Sequence, residues 1–304
     1  MNSPMQTFSL HRWIAGAWLA CALLTGFAAT PEAEALKARH AALAPELANN
    51  PFQRPIHLES TQGGSDLKGE VYAVLNHPFA TLDGGMKAAD RWCDVLILPF
   101  NVKQCRAAGG APAQKLELRV GRKYDQPVKD AFKVDFDYRL VSATSDYLKV
   151  QLIADNGPMG TRDYRIVFEA VPLDAGHSFM HLSYSYGFGF AARLAMQGYL
   201  STVGSGKVGF SVVDRRPDGQ PVYVGSMRGV IERNTMRYYL AIDAYLDSLS
   251  APPQQQAERR LRDWFTATER YPLQLHEISE DDYLAMKRKE IQRQQAPTET
   301  ARAG

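Results

Sequence analysis

From Phe132 to Tyr186 the chain repeats one pattern. Phe132, Val134, Phe136, Tyr138 and Leu140 alternate with Lys133, Asp135, Asp137 and Arg139. Leu148, Val150 and Leu152 repeat it, and Tyr164, Ile166 and Phe168 do so against Arg165 and Glu169. Met180, Leu182, Tyr184 and Tyr186 do so again, facing away from Phe179, His181, Ser183 and Ser185. A period of two assigns each set of side chains to one face of a strand. Asn156-Gly157-Pro158 and Asp174-Ala175-Gly176 place turn residues between these runs. Such short links leave no room for a crossover helix, so the strands pair antiparallel. The segments flanking this meander read as helical, which makes the fold class α+β.

Before the meander, residues 56–60 and 67–75 read as strands joined at Gln62-Gly63-Gly64-Ser65. His77-Pro78 opens a helical stretch in which Phe79, Leu82, Met86 and Ala89 recur at helical spacing, with a kink expected at Gly84-Gly85. Residues 102–107 and 115–120 are short strands. After the meander, residues 188–200 read as helix and 207–213 as extended chain. Residues 227–249 form a long amphipathic helix. Its stripe holds Ile231, Tyr238, Ile242, Tyr245 and Leu249, while Glu232, Arg233, Arg237 and Asp247 fall mostly outside it. Pro252-Pro253 ends that helix. Two further helices are expected in the polar tail, one carrying Leu261, Trp264 and Phe265, the other capped by Ser279 with Asp282.

The N-terminus reads as a cleaved export signal. His11 and Arg12 precede an apolar run from Trp13 to Ala29. Ala33-Glu34-Ala35 offers small residues for a cleavage site after Ala35, and Gly26-Phe27-Ala28 offers a second. Export implies the periplasm or the secreted fraction. Cys93 and Cys105 then remain as an even pair in an oxidising compartment, a candidate disulfide. Removing residues 1–35 shifts the formal charge from +2 to +3. That balance, with basic residues scattered among acids, gives no field or basic run for nucleic acid. The expected organisation is a signal peptide at 1–35, a loosely attached helix and linker at 36–53, the main domain at 54–250 and a helical tail at 251–304.

The order of elements resembles the helix-grip fold of the START-like superfamily, also called SRPBCC. The segment Gly69-Glu70-Val71-Tyr72-Ala73-Val74-Leu75-Asn76-His77-Pro78-Phe79 resembles that family's first strand running into its first helix. Trp92 resembles the Trp found where its two short helices return to the sheet, and residues 227–249 resemble the C-terminal helix gripping the curved antiparallel sheet. The extra strand at 56–60, the insertion at 188–224 and the tail beyond Pro252 depart from the pattern. The resemblance implies an apolar cavity between sheet and helix, used in the family for lipids, sterols or polyketides.

On that reading the polar groups of a cavity are His181, Tyr184, Tyr186, Asn234, Arg237 and Tyr238. Tyrosines give ring area to an apolar guest and a hydroxyl to its polar end. The implied partner is an apolar small molecule or lipid, with no cofactor. The reading allows a transient membrane contact and a protein partner for the tail. A cyclase- or hydrolase-type enzyme on the same fold would use His181, Tyr184 or Arg237. A non-catalytic interaction protein would instead dock a partner through Trp264, Phe265, Tyr283 and Leu284. Metal binding is not expected: His177 and His181, four apart on a strand, stand about 13 Å from each other. Gly204-Ser205-Gly206-Lys207 lacks the first Gly and the Ser or Thr of a phosphate loop.

Overall fold

The computed structural model describes Met1 and residues 30–110, 113–202 and 206–295. The apolar run of the expected export signal lies outside the described residues. Among the described residues no helix is long and apolar enough to cross a membrane.

The chain runs α1 (Pro31–Ala42), α2 (Ala44–Ala48), β1 (Ile56–Gln62), β2 (Asp66–Leu75), α3 (Phe79–Met86), α4 (Ala89–Leu96), β3 (Val102–Ala108), β4 (Gln114–Val120), β5 (Phe132–Ala143), β6 (Leu148–Asn156), β7 (Thr161–Pro172) and β8 (Ser178–Phe188). It continues through α5 (Phe190–Ser201), β9 (Val212–Arg215), β10 (Pro221–Tyr223), α6 (Ser226–Ser248), α7 (Pro253–Glu269), α8 (Pro272–Leu275) and α9 (Glu280–Gln295). β1 to β8 form one sheet in the order β1-β2-β8-β7-β6-β5-β4-β3, antiparallel throughout. Only β2, which pairs with β8, departs from neighbour-to-neighbour pairing, and it brings the first long strand beside the last. Two short helices follow β2, and α6 lies across the sheet. This is the helix-grip arrangement, with β1 added at the edge.

The inward set of the meander is the core: Val134, Phe136, Tyr138, Leu148, Val150, Leu152, Ile166, Phe168, Met180 and Leu182 are all buried. Asp135 and Asp137 stay on the wet face, where Lys133 and Lys115 pair with them. The two short helices are fastened by the Trp92 indole, which donates to Met86 O at 2.8 Å. A disulfide joins Cys93 of α4 to Cys105 of β3, with the Cα atoms 5.2 Å apart.

Three expectations fail, each because a helix covers more than its own sequence shows. Helix α1 is not loosely attached. Ala33, Leu36, Leu43 and Leu47 pack on Tyr72, Tyr147, Val171 and Phe179 of the sheet's outer face and make a second, smaller core. The tail is not an appendage either. Leu261, Trp264, Phe265, Tyr283 and Leu284 belong to the main core, so the residues proposed to dock a partner are used internally. The far side of the long helix is also buried, under Ser60, residues 208–211 and the tail: Glu232, Arg233 and Arg237 are 0%, 3% and 5% exposed.

The fourth difference concerns the hollow implied between sheet and helix. At its centre the two layers touch. Gly69 of β2 lies so close to α6 that a Cβ there would stand 2.3 Å from Thr235 Oγ1. Beside this contact Tyr184 of β8, the cross-strand partner of Gly69, meets Tyr238 of α6.

Candidate functional site

Strand parity decides which of the expected site residues meet. On β8, Tyr184 and Tyr186 share the inward face with Met180 and Leu182. On α6, Tyr238 turns toward them, and its ring meets that of Tyr184 edge-on at 5.3 Å. A fourth phenol, Tyr164 of β7, completes the group. It stacks on Tyr186 at 5.1 Å and lies 6.2 Å from Tyr184. Phe136 of β5 closes the far side, edge-on to Tyr164 at 6.3 Å. Tyr164 sits beside the bulge where β7 slips against β8 between Arg162 and Arg165.

Burial pushes the phenols of Tyr184, Tyr186 and Tyr238 well above their ordinary range, with neighbouring phenols adding to the effect. Tyr164 is raised by the same cause and shares a 2.8 Å hydrogen bond with Thr161 Oγ1. Among the described residues the buried hydroxyl without a hydrogen-bond partner is that of Tyr239, not one of the other three. The phenol hydroxyls are the polar rim of this aromatic wall.

Arg237 and Asn234 do not join that rim. The Arg237 guanidinium turns toward the tail, donating to Glu277 Oε1 at 2.5 Å and to Leu275 O at 3.4 Å. Its other terminal nitrogen reaches Asn234 Oδ1 at 3.5 Å.

His181 lies on the opposite face of the sheet. Its odd position on β8 points it outward, between Glu169 of β7 and Glu70 of β2. Nδ1 is 2.9 Å from Glu169 Oε1 and Nε2 is 2.9 Å from Glu70 Oε1. The ring stacks on Tyr72 at 4.3 Å. Both ring nitrogens face carboxylates, so both donate and the ring is an imidazolium. Burial opposes this charge, but the two carboxylates outweigh it and raise the His181 pKa. Burial likewise opposes the carboxylates. Hydrogen bonds from His181, with Lys68 on one side and Tyr147 on the other, hold Glu70 and Glu169 at about 2. The imidazolium is thus a fastening of the outer layer, not a cavity group.

For an enzyme of the cyclase or hydrolase type, a titratable group at the phenols would need an acid or base within hydrogen-bond reach. His181 is on the other face, and Arg237 is committed to Glu277. The metal question centres on His77, Asp243 and Asp247, whose ligand atoms lie within 4.8 Å of one another. His77 Nε2 is 3.2 Å from Asp247 Oδ1, but Arg54 already donates to Asp243 Oδ2 at 2.7 Å. That guanidinium supplies the positive charge a cation would bring, so the donor set is matched from within the chain.

Sequence reasoning missed Tyr164 as a member of the site, although its parity with Ile166 and Phe168 places it inward. No signal marked Glu70 and Glu169 as partners of His181, because register between strands decides that pairing.

No family model and no curated protein matches the chain. Among solved structures, it is similar to norcoclaurine synthase from Thalictrum flavum, at 14% identity and a TM-score of 0.32, covering 49% of this chain and 80% of that one. It is similar to Ara h 8.0201 at 10% identity and a TM-score of 0.35, covering 64% and 99%. A conserved protein from Geobacillus kaustophilus matches at 13% identity and a TM-score of 0.31, covering 45% and 84%.

Proposed function

We propose that the protein is an exported binding protein for a small apolar molecule, held where Tyr164, Tyr184, Tyr186 and Tyr238 converge. The observation that supports this reading is the convergence of four phenol rings from β7, β8 and α6, with centroids 5.1 to 6.2 Å apart. Aromatic walls favour a guest with apolar area, and the hydroxyls fix its polar end. Export is part of the proposal and is supported by the apolar run from Trp13 to Ala29 and by the Cys93–Cys105 bond.

Native mass spectrometry of protein purified from its own host tests the reading. A co-purifying small molecule is expected, and Tyr184→Phe with Tyr238→Phe should lower its occupancy while leaving the melting temperature unchanged or higher. Occupancy unaffected by loss of both hydroxyls would remove the tyrosine cluster from consideration.

A further inference from the structure

Large apolar side chains stand in water at one end of the sheet. The antiparallel register pairs Val120 with Phe132, Asp137 with Ile153, Asn156 with Arg162 and Thr161 with Phe188. The start of β5, the β6–β7 turn and the exit from β8 therefore share that end. Phe132 is 52% exposed there and Met159 59%. Phe190 and Leu194, one turn apart on α5, are 77% and 52% exposed. The short turn Pro158–Gly160, which carries Met159, packs against both α5 and β5 and so joins the three segments. A contiguous apolar surface of this kind marks a contact, where single exposed residues do not.

Met159 adds an independent sign. Its φ is 57°, the left-handed region that turn chemistry gives to Gly or Asn. A large apolar side chain at that position is unfavourable for the backbone and for its contact with water. The charges beside the surface have one sign on the helix. No acidic residue occurs between Asp174 and Asp214, a span that contains all of α5. Arg193, between Phe190 and Leu194 in the chain, donates to Gly64 O and holds its guanidinium 5.4 Å from the Phe188 ring. In the neighbouring turn Arg162 pairs with Asp163 at 3.1 Å, so those two charges offset each other.

We infer that this face rests on an anionic phospholipid surface, with Phe132, Met159, Phe190 and Leu194 below the headgroups and Arg193 at the level of the phosphates. Apolar side chains enter the headgroup–acyl boundary while a cation next to them stays with the headgroups. The four side chains project from a strand end, a turn and a helix. A soft planar layer accommodates such projections, whereas a rigid partner needs matching recesses. The lipid contact stands apart from the binding of a small molecule at the tyrosines and does not require it.

Co-sedimentation tests this with vesicles of phosphatidylcholine alone and of phosphatidylcholine mixed with phosphatidylglycerol. The chain from Ala29 is used, because it lacks the apolar run before it and keeps every element described above. It should bind the mixed vesicles more tightly. Phe190→Ser with Leu194→Ser should lower that partition at least about tenfold, the scale of leaving two large side chains in water, with the melting temperature unchanged. Met159→Gly should also weaken binding, yet leave the melting temperature unchanged or higher, because glycine adopts a positive φ freely. Arg193→Gln should lower the preference for the mixed vesicles by about fivefold, the scale of one basic side chain at an anionic surface. No binding to the mixed vesicles, equal binding to both kinds, or binding untouched by the double serine variant would overturn the lipid contact. So would a double variant that altered only the protein's mass in sedimentation equilibrium, which would give this face to a second copy of the chain. Native mass spectrometry reads the small molecule separately, so either reading can fail without the other.

Discussion

Gly69 of β2 and Thr235 of α6 meet at the point where the long helix presses on the sheet; a Cβ on Gly69 would lie 2.3 Å from Thr235 Oγ1 and 3.2 Å from its Cβ. Thr235 is fully buried, and its hydroxyl already donates to Ile231 O at 2.8 Å, so it has no room to withdraw. Gly69→Ala should therefore cost about 1–3 kcal/mol, the scale of overpacking a filled core. Thr235→Ala in the same chain should recover part of that loss by removing the nearer atom. A double-mutant cycle by guanidinium unfolding reads the coupling. Additive effects would mean that helix and sheet do not touch there.

The His181 fastening makes stability depend on pH in both directions. The folded pKa values of Glu70 and Glu169 are about 2, below those of the unfolded chain, so their contribution is present above about 4.5 and is lost as pH falls toward 2. The folded pKa of His181 is raised, so its contribution is full below the unfolded value near 6.5 and is lost as pH rises through the folded value. Stability from this cluster is therefore greatest between about 4.5 and 6.5. Thermal melts across pH 3–9 check it. His181→Ala should cost about 3–5 kcal/mol near pH 6, because two buried carboxylates lose their shared cation, and should flatten the alkaline limb.

These two sites show what the sequence makes legible. Alternation alone assigns Tyr184 and Tyr186 to the core and Asp135 to the surface, since a strand's period of two is set by covalent geometry. The same parity excludes His181 from the interior. Grouping it with Tyr184 and Tyr186 followed residue chemistry and not register. The polar stripe of α6 was misleading for a different reason. Amphipathicity reports one covered face, and Glu232, Arg233 and Arg237 are covered by partners distant in sequence. Ser60, Phe210 and Ser211 converge on Glu232, and Glu277 takes Arg237. Outward-facing Tyr72, Val171 and Phe179 are the trace in the strands that a second layer, α1 with α2, covers the sheet's other face.

The C-terminal helices are expected to be indispensable to folding. Trp264 and Tyr283 are fully buried, with Phe100 packed edge-on against both at 5.0 and 5.3 Å. Lys287 of α9 and Lys103 of β3 are fully buried and share Glu290 at 2.7 and 3.0 Å, while burial pushes the Lys287 ammonium down to about 8. Removing residues 252–304 uncovers this core and leaves Lys103 without its carboxylate. The shortened chain should show no cooperative melt by circular dichroism. Glu290→Gln in the full chain should cost about 3–5 kcal/mol by leaving two buried ammonium groups uncompensated. A normal melt after truncation would restore the tail to the role of a docking appendage.

The first turn of α1 bears on where the proposed export signal would be cut. Thr30 caps the helix, accepting from Ala33 N at 3.2 Å, and Pro31 occupies a first-turn position suited to it. Ala33 is fully buried in the outer core beside Tyr147, Val171 and Phe179. Cleavage after Ala35 would remove the cap, worth about 1 kcal/mol, together with Ala33, and would place a charged terminus against an apolar layer. Cleavage after Ala28, where Gly26 and Ala28 supply the small residues, leaves Thr30 and the whole helix intact. The intact mass of protein recovered from the periplasm should therefore correspond to a chain beginning at Ala29. A chain beginning at Leu36 would require α1 to hold the sheet without its first turn. Its melting temperature would then match that of a chain from Ala29 only if Thr30 and Ala33 contribute nothing.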